Sequence, residues 1–459
     1  MKLCKPALKI LNAAFCLLVI FSLVACAAPA PKFNYESGPA LVLSLKNAAA
    51  YPEVNLAVFS DPHVYDTSLG TTGKAFEDYL AKDRKLLRES SQIFDSAIAS
   101  ISNLKAGIVL VPGDLSKDGE LASHQLAAKY LGQLKAAGKT IYVVPGNHDI
   151  NNGWAFRYVG DSVQHVANIT PEQFRQIYAD YGFNSAIKSD SDSLSYLAEP
   201  VPGLWLLCLD SCEYKDNVPD KEPIVGGKFS HATLQWIEST LAQAARENKA
   251  VIVMMHHGTV EHFNGQKKNY GEYIVDDYQA ISKMFAEYNV RLVFTGHFHA
   301  QDVTEAKWDD GKFLFDVETG STVTYPCPYR VVNIGADQQA AIRSERVTAI
   351  PSHPTDFQEY AKAYLEEGIA GIAVNTLMGY KIGRSEAETL SGDIAKAFEA
   401  HYGGDESLPP GQQVIRESGL SPLAWLVIQF RKDLIYGLWK DLPPPDNNVT
   451  LNLKDGSWK

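Results

Sequence analysis

Five short runs of apolar, often β-branched residues recur along the chain, and segments with helical periodicity separate them. The first three are VNLAV, GIVLV and TIYVV, with helical patterns at about 74–103 and 119–138 between them. Two more, AVIVMM and RLVFT, follow with helical patterns of their own. Strands that are apolar on both faces are typical of a parallel sheet covered by helices. The sequence therefore predicts an α/β fold.

Each of the five runs ends in a cluster of aspartate, asparagine or histidine residues. Ligands bind at the carboxyl ends of the strands in an open α/β sheet, so these clusters form a candidate site. In the last cluster, the two histidines of GHFH would point to the same side of a strand, which suggests a metal site. The clusters are Asp61 and His63; Asp114; Asn147, His148 and Asp149; His256 and His257; and His297 and His299.

Together the clusters resemble the pattern of the calcineurin-like metallophosphoesterase family: D-x-H, G-D, G-N-H-D/E, a histidine after a strand, and G-H-x-H. All five parts are present, and the resemblance covers about residues 51–340. It implies a four-layer αββα sandwich and a site for two divalent metal ions. The first ion would be held by Asp61, His63, Asp114 and His299, and the second by Asp114, Asn147, His256 and His297. Asp114 would bridge the ions, and His257 would lie outside the ligand set.

A dinuclear metal site explains these residue types on chemical grounds. Two divalent ions about 3.5–4 Å apart hold the attacking and leaving oxygens of an in-line displacement and activate a water as the hydroxide nucleophile. Two carboxylates leave such a site positively charged, so it attracts a phosphate even on an acidic protein. Ligands that mix histidine, carboxylate and amide suit Mn, Fe, Co or Zn. The substrate expected is a phosphate ester, either a monoester or a diester.

His148 lies outside the ligand set that the resemblance implies, and it is a candidate general acid. Near the metal ions it can donate a proton to the leaving alkoxide, and a carboxylate such as Asp149 could orient its ring and raise its pKa. The alternative is a structural histidine in a tight loop. Outside the clusters, we expect His165 and His262 to line the predicted pocket from loops beside it.

Features of the sequence argue against a related branch of the family and against other function classes. Purple acid phosphatases, a related branch, carry a tyrosine ligand three residues after the bridging aspartate, whereas this chain has Lys117 there. That branch is therefore not predicted. A metal-binding scaffold lipoprotein of the same fold without catalytic activity is an alternative, and the complete set of ligand positions argues against it. A nuclease is a second alternative.

The charge of the chain argues against the nuclease. Without residues 1–25 the chain has 39 basic and 54 acidic residues, a formal charge of −15. A protein with this charge does not bind nucleic acid non-specifically. We therefore expect the partner to be a small molecule with a phosphate ester and not a nucleic acid. A second expected partner is the membrane, through the lipid anchor that the N-terminal sequence indicates.

The N-terminus has the features of a bacterial lipoprotein signal. Three lysines precede an apolar run at 10–23, which is shorter than the ~20 residues of a membrane-spanning helix. The run ends in LVAC, which resembles the lipobox, whose cysteine is lipidated after cleavage; here that residue is Cys26. We expect a signal peptide at 1–25, a tether at 26–50, and a protein exported and lipid-anchored to the cell envelope.

The predicted catalytic domain spans 51–345 and contains an insertion at 150–199. The insertion includes the helix start ITPEQFRQIY, in which Thr170 is the expected N-cap and Pro171 the first helical residue. Insertions beside strand ends often shape substrate pockets.

The pattern then changes to helical periodicity, which predicts a helical C-terminal region at 346–459. In its last helix one face is apolar, and we expect that face to pack on the catalytic domain. The face consists of Val427, Phe430, Leu434 and Leu438.

Overall fold

The computed structural model describes residues 33–35 and 48–459. The predicted signal peptide, Cys26 and most of the predicted tether lie outside the described residues, so what was predicted for them stays a prediction. Among the described residues, no helix combines the length and the apolar character needed to cross a membrane.

The strands of the described residues form two large sheets and a hairpin. In chain order they are β1 (Val54–Val58), β2 (Ile108–Val111), β3 (Thr140–Val143), β4 (Phe156–Val159), β5 (Ser162–His165), β6 (Lys188–Ser189), β7 (Tyr196–Val201), β8 (Leu204–Leu209), β9 (Ala250–Met255), β10 (Leu292–Thr295), β11 (Asp302–Lys307), β12 (Phe313–Glu318), β13 (Pro328–Ile334), β14 (Gln339–Arg346) and β15 (Asn448–Asn452).

The helices alternate with the strands in the first part of the chain and dominate the last. They are α1 (Lys74–Leu80), α2 (Ser90–Ser102), α3 (Leu121–Ala136), α4 (Pro171–Ile177), α5 (His231–Arg246), α6 (Gln266–Asn269), α7 (Tyr278–Glu287), α8 (Phe357–Gly379), α9 (Arg384–Gly403) and α10 (Pro422–Leu438).

The first sheet has the order β15-β14-β13-β1-β2-β3, and the second has the order β11-β12-β10-β9-β8-β7-β6. In the first, β1, β2 and β3 are parallel. In the second, β8, β9, β10 and β12 are parallel. Every residue of β2, β8, β9 and β10 is buried, which is why these strands are almost continuously apolar in sequence.

The two sheets share one hydrophobic core. Val109 of the first sheet lies in the same cluster of buried side chains as Ile252 and Phe294 of the second. Helices α2 and α3 pack against the first sheet, and α5 and α7 contact the second through β9 and β12. The predicted four-layer αββα architecture is confirmed.

The predicted insertion at 150–199 supplies the hairpin β4–β5, helix α4, the edge strand β6 of the second sheet and most of its neighbour β7. Helix α4 begins as predicted: the Thr170 hydroxyl accepts a hydrogen bond from the Gln173 N–H, and Pro171 is the first helical residue. This arrangement satisfies backbone N–H groups that a helix start otherwise leaves without partners.

The C-terminal helices pack on the catalytic domain through a second apolar cluster. Leu365 of α8, Leu390 of α9 and Ile435 of α10 lie in one cluster with Phe298, the residue between the two histidines of GHFH. The helical region therefore contacts the loop that carries His297 and His299.

The structure corrects two details of the C-terminal region. Leu438 is buried as predicted, but Phe430 is 69% exposed, because the packed side of α10 is centred on Ala424, Ile428 and Ile435. The region is also not helical throughout, because β15 returns to the first sheet and pairs with β14. The strand β15 is difficult to predict from the sequence, because its five residues, NVTLN, include three polar ones.

Candidate metal centre

The loops that follow β1, β2, β3, β9 and β10 bring their polar clusters to one place. Two groups of potential metal ligands form there, and within each group the ligand atoms lie within 4.8 Å of one another. The first group is Asp61, His63, Asp114 and His299, and the second is Asp114, His256 and His297. Asp114 belongs to both groups, as a bridging ligand must.

In the first group the donor atoms are close together and buried. His63 Nε2 lies 3.1 Å from His299 Nε2 and 3.5 Å from Asp114 Oδ2. His299 Nε2 lies 3.5 Å from Asp61 Oδ1. Imidazole nitrogens and carboxylate oxygens at these separations can act together as the ligands of one ion.

The second group extends from the same oxygen of Asp114. His256 Nε2 lies 3.5 Å from Asp114 Oδ2 and 3.2 Å from Asn147 Oδ1. The structure therefore places Asn147 beside this group, and its amide oxygen is the atom that can act as a ligand. The ring of His297 lies 4.4 Å from the ring of His256.

Hydrogen bonds behind two of the histidines fix which nitrogen faces the site. His256 Nδ1 lies 2.8 Å from the Pro112 carbonyl oxygen, and His299 Nδ1 lies 3.2 Å from Thr324 Oγ1. Such partners orient the rings of metal-binding histidines. Both rings therefore present Nε2 to the site.

Three of the four ligand histidines have the pKa shift that suits metal binding. At His256, by contrast, the carboxylate of Asp114 outweighs burial and raises the pKa to about 9, so a metal ion there would replace a proton. Burial lowers the pKa of His299 to about 4 and lowers the pKa of His63 and of His297 well below the usual range. Although burial alone raises the pKa of Asp114, the nearby histidines hold it well below its usual value. Neutral imidazoles and ionised carboxylates are the forms that bind metals. This donor set fits two divalent transition-metal ions.

Several of these residues have strained backbones. The φ angles are 49° at Asp61, 36° at His63, 49° at Asp114, 80° at His297 and 73° at His299. Each such residue costs about 1–3 kcal/mol, and strain of this kind concentrates at functional sites. The chain turns sharply after Gly296, so His297 and His299 enter different ligand groups, although their spacing on a strand predicts a shared face.

Glycines next to the ligands allow this close packing. A Cβ atom at Gly146 would lie 2.1 Å from Asp114 Oδ1, and one at Gly296 would lie 2.4 Å from Asp61 Oδ2. A Cβ atom at Gly113 would lie 2.4 Å from His256 Nδ1. The glycines of the motifs are therefore required by the contacts of the ligand side chains.

We expect Gly146→Ala to lose metal and at least tenfold in activity, because the new methyl group overlaps the carboxylate and backbone of Asp114. Overpacking of this kind costs about 1–3 kcal/mol even when neighbours adjust. Gly107→Ala is the control, since a Cβ atom there meets nothing within 4 Å. Metal analysis and thermal unfolding of both variants test the prediction, and wild-type metal content in Gly146→Ala would contradict it.

His148 lies beside the ligand groups, and its ring centroid is 4.9 Å from that of His63. Its Nδ1 atom contacts Asp118 Oδ1 at 2.8 Å. Burial lowers the pKa of His148, but Asp114 and Asp118 outweigh this effect and raise it above the usual value. The side chain is 22% exposed, and His148 lines the cleft in front of the metal centre.

The prediction that Asp149 orients His148 is wrong. The carboxylate of Asp149 accepts hydrogen bonds from the N–H groups of Leu115, Ser116 and Gly146 and from the Ser116 hydroxyl. It therefore joins the loops after β2 and β3. The carboxylate that orients the His148 ring is instead that of Asp118, because the loop after β2 turns back toward His148.

The remaining histidines have other contacts. His257 Nδ1 lies 2.8 Å from Ser211 Oγ, and its Nε2 lies 2.9 Å from the Val225 carbonyl oxygen, so it supports the site without facing it. His165 forms an ion pair with Asp220 on the surface. His262 does not line the pocket as expected, because it is fully buried and contacts Asp302 at 2.7 Å.

Cationic residues that no motif marked line the cleft in front of the ligands. Arg84 and Lys85, on the connection between α1 and α2, share this cleft of 540 Å³ with His148 and His299. Lys117, where the purple acid phosphatases carry a tyrosine, is buried in an ion pair with Asp118. Lys117 does not line the cleft, whose lining combines the basic residues Arg84 and Lys85 with acidic ones such as Asp83 and Glu222.

Several solved structures are similar to this one at low sequence identity. A dimetal phosphatase from Danio rerio has 16% identity and a TM-score of 0.46, covering 65% of this chain and 97% of that one. A purple acid phosphatase from yellow lupin (Lupinus luteus) seeds has 12% identity and a TM-score of 0.40, covering 66% and 52%. An NAD nucleotidase from Haemophilus influenzae has 14% identity and a TM-score of 0.34, covering 65% and 50%. Similarity at this level carries no argument about the substrate of this chain.

A search of curated proteins found no match. The sequence pattern of the family described as calcineurin-like phosphoesterase, however, matches residues 54–301, more than half of the 459 residues. The matched stretch starts at β1 and includes all the clusters that meet at the metal centre. The chain therefore belongs to the calcineurin-like phosphoesterase family, and the protein is a metal-dependent hydrolase.

Proposed function

We propose that the protein hydrolyses a phosphate ester at a dinuclear metal centre, with His148 as the general acid. The observation that carries this proposal is that one carboxylate, Asp114, belongs to two adjacent groups of buried ligand atoms. Asp61, His63 and His299 complete one ion's ligands, and Asn147, His256 and His297 complete the other's. When bound, the two ions activate the attacking water and neutralise charge on the phosphoryl oxygens.

His148 is placed to move a proton at the mouth of the centre. Its Nδ1 is held by Asp118 at 2.8 Å, so Nε2 is the nitrogen that can donate to the leaving oxygen. The carboxylate fixes the ring and stabilises its protonated form, as in other histidine acids. Asp118 is a positioning residue, because it acts through His148.

Arg84 and Lys85 bind the substrate's phosphate in this account. Both line the cleft with His148, and a guanidinium can pair with two phosphate oxygens at once. They provide local positive charge on a chain whose formal net charge is −12.

The direct test is a panel of phosphate monoesters and diesters, including nucleotides and phospholipid headgroups, assayed with metal-stripped and Mn²⁺-loaded protein. We expect hydrolysis by the loaded protein only. Full metal occupancy without turnover of any ester would instead support the non-catalytic scaffold.

For the location of the protein, we propose export and lipid anchoring at Cys26, based on the basic and apolar N-terminus and its LVAC sequence. A multiply acylated cysteine holds a protein at a membrane, since each buried CH₂ group contributes about 0.8 kcal/mol.

Cys26→Ser should remove the lipid and leave the chain either uncleaved or released in soluble form. Labelling of cells with a radioactive fatty acid checks this, with Cys212→Ser as the control cysteine variant. Equal label in wild type and Cys26→Ser would point to another anchor.

A further inference from the structure

A second group of buried ionisable residues lies outside the metal centre, where the C-terminal region meets the second sheet. Asp302 begins β11, Glu318 ends β12, and His401 and Glu406 come from α9 and the loop after it. His262 contacts Asp302, Asp316 and Glu318, with its Nε2 atom 3.6 Å from Asp316 Oδ1. Nothing in the proposed hydrolysis uses these residues.

This cluster contains more buried carboxylates than basic groups. Its carboxylates are each no more than 5% exposed: Asp302, Asp316, Glu318, Glu406 and Asp446. Positive charge in the cluster comes from the buried Arg330 and, when they are protonated, from His262 and His401. If all five carboxylates were ionised, three positive charges would face five negative ones. Burial raises the pKa of Glu318 to about 8 and raises the pKa of Glu406 and of Asp446, so the cluster needs either protons or a cation for neutrality. Buried charge without compensation is strongly unfavourable.

Part of the cluster has the geometry of a metal site. Asp302, His401 and Glu406 each offer a ligand atom, and these atoms lie within 4.8 Å of one another. His401 Nδ1 lies 2.9 Å from Glu406 Oε1 and 3.9 Å from Asp302 Oδ2. Within the described part of the chain, the carboxylate oxygens Asp302 Oδ2 and Glu406 Oε2 have no hydrogen-bond partner. Buried polar atoms without partners cost about 1–3 kcal/mol each.

We infer that Asp302, His401 and Glu406 bind a third divalent cation. Two carboxylates and an imidazole suit Zn²⁺ or Mn²⁺. The ion would join the end of α9 to β11, which begins only three residues after the metal-centre ligand His299. The backbone already makes the same connection, since the Gln301 N–H donates to the Tyr402 carbonyl oxygen at 3.2 Å. The ion is therefore structural, and it holds the C-terminal region against the catalytic domain.

Metal stoichiometry tests this site separately from catalysis. Protein stripped with a chelator, reloaded with Zn²⁺ and freed of excess ion should contain three equivalents. Glu406→Gln should contain two, and the control Glu367→Gln, at an exposed position on α8, should contain three. Asp114→Ala should still retain the third ion.

A crystal of the wild type examined by anomalous scattering at the zinc edge provides a readout that does not depend on the variants folding. A peak among Asp302, His401 and Glu406 is the expected result. Two equivalents in the wild type, with no peak there, would show that protons neutralise the cluster and would overturn the inference.

A different feature bears on the substrate. An apolar cavity of 370 Å³ lies among the C-terminal helices, lined by side chains that include Ile372, Leu377, Phe398 and Ile435. Arg84 and Tyr273 line both this cavity and the cleft of the metal centre. The two spaces therefore meet at these residues.

The boundary between cavity and cleft is built from residues in contact with the metal ligands. The Tyr273 ring lies 4.4 Å from that of the ligand His297 and 4.9 Å from that of Phe298. Arg84 Nε donates a hydrogen bond to the Tyr402 hydroxyl at 2.6 Å. An apolar surface thus begins directly beside a phosphate-binding surface.

On the basis of the proposed hydrolysis, we infer that the substrate is an amphiphile: a phosphate ester whose apolar group enters the helical cavity. The phosphate would lie between Arg84 and the metal centre, and the apolar group would pass Tyr273. A pocket that is mostly apolar with few polar groups at one end suits such a ligand.

A chain-length series tests this. The substrates are alkyl monophosphates and nitrophenyl alkyl diesters with chains from methyl to dodecyl, used below their micelle-forming concentrations. With Mn²⁺-loaded wild type, kcat/KM should rise about fourfold per methylene until the cavity is filled. Ile372→Trp, which narrows the cavity at a half-buried position, should abolish the rise and keep methyl-ester hydrolysis.

Ile187→Trp, at an exposed position outside the cavity, is the control and should behave as wild type. Equal kcat/KM for all chain lengths would overturn the apolar subsite and leave the proposed hydrolysis intact. Hydrolysis of no ester in either series would contradict the proposed function itself.

Discussion

Asp114→Ala should abolish hydrolysis and lose more metal than any single histidine substitution at the centre. Asp114 Oδ2 lies 3.5 Å from His63 Nε2 in one ligand group and 3.5 Å from His256 Nε2 in the other. Removal of the Asp114 carboxylate deprives both metal sites of a ligand. His63→Ala or His256→Ala, by contrast, removes a ligand from only one of the two sites. Metal content and kcat/KM of the purified variants are the measurements.

The control for this comparison is Asp95→Ala, an exposed position on α2 far from any motif. It should keep wild-type metal and activity. Wild-type metal content in Asp114→Ala would show that the carboxylate does not bridge, and a fully active variant would remove Asp114 from the mechanism altogether.

The second large effect is expected from His148→Ala. This variant should keep its metal, because both ligand groups are intact, and should lose activity on alkyl esters, whose leaving group requires a proton. General acid catalysis contributes about 10²–10⁴-fold. On a nitrophenyl ester the loss should be far smaller, because nitrophenolate departs readily without a proton.

The informative quantity is the ratio of these two losses, measured as kcat/KM with chemistry shown to limit the rate. His231→Ala is the control, since this histidine is exposed at the start of α5. A ratio near one in His148→Ala at full metal occupancy would mean that His148 positions the phosphate. Asp118→Asn should show the same leaving-group dependence in weaker form.

Much of the site could be predicted from the sequence because each ligand cluster directly follows a buried strand. The runs before Asp61, Asp114 and His256 are predominantly apolar, so the sequence predicts both the strands and the position of the ligands at their carboxyl ends. The αββα layers follow from the same pattern.

What the sequence did not predict depends on contacts between distant residues. The partner of His148 is Asp118, 30 positions away, whereas the neighbouring Asp149 turns toward the loop after β2. Arg84 and Lys85 belong to no motif and reach the cleft through the path of the α1–α2 connection.

Two features of the C-terminal region were hidden for the same reason. Asp302 and Glu406 are separated by about a hundred positions, and nothing local to either marks a shared site. The strand β15 forms because β14 offers an unpaired edge, a property of the sheet that its own five residues do not reveal.

The most direct test of the dinuclear account is electron paramagnetic resonance of the Mn²⁺-loaded protein, with ester hydrolysis assayed on the same sample. Two ions that share the Asp114 carboxylate should give the spectrum of a spin-coupled manganese pair in the active wild type. In Asp114→Ala, that coupled signal and the activity should disappear together. Fully active wild-type protein that shows only isolated manganese ions would contradict the account.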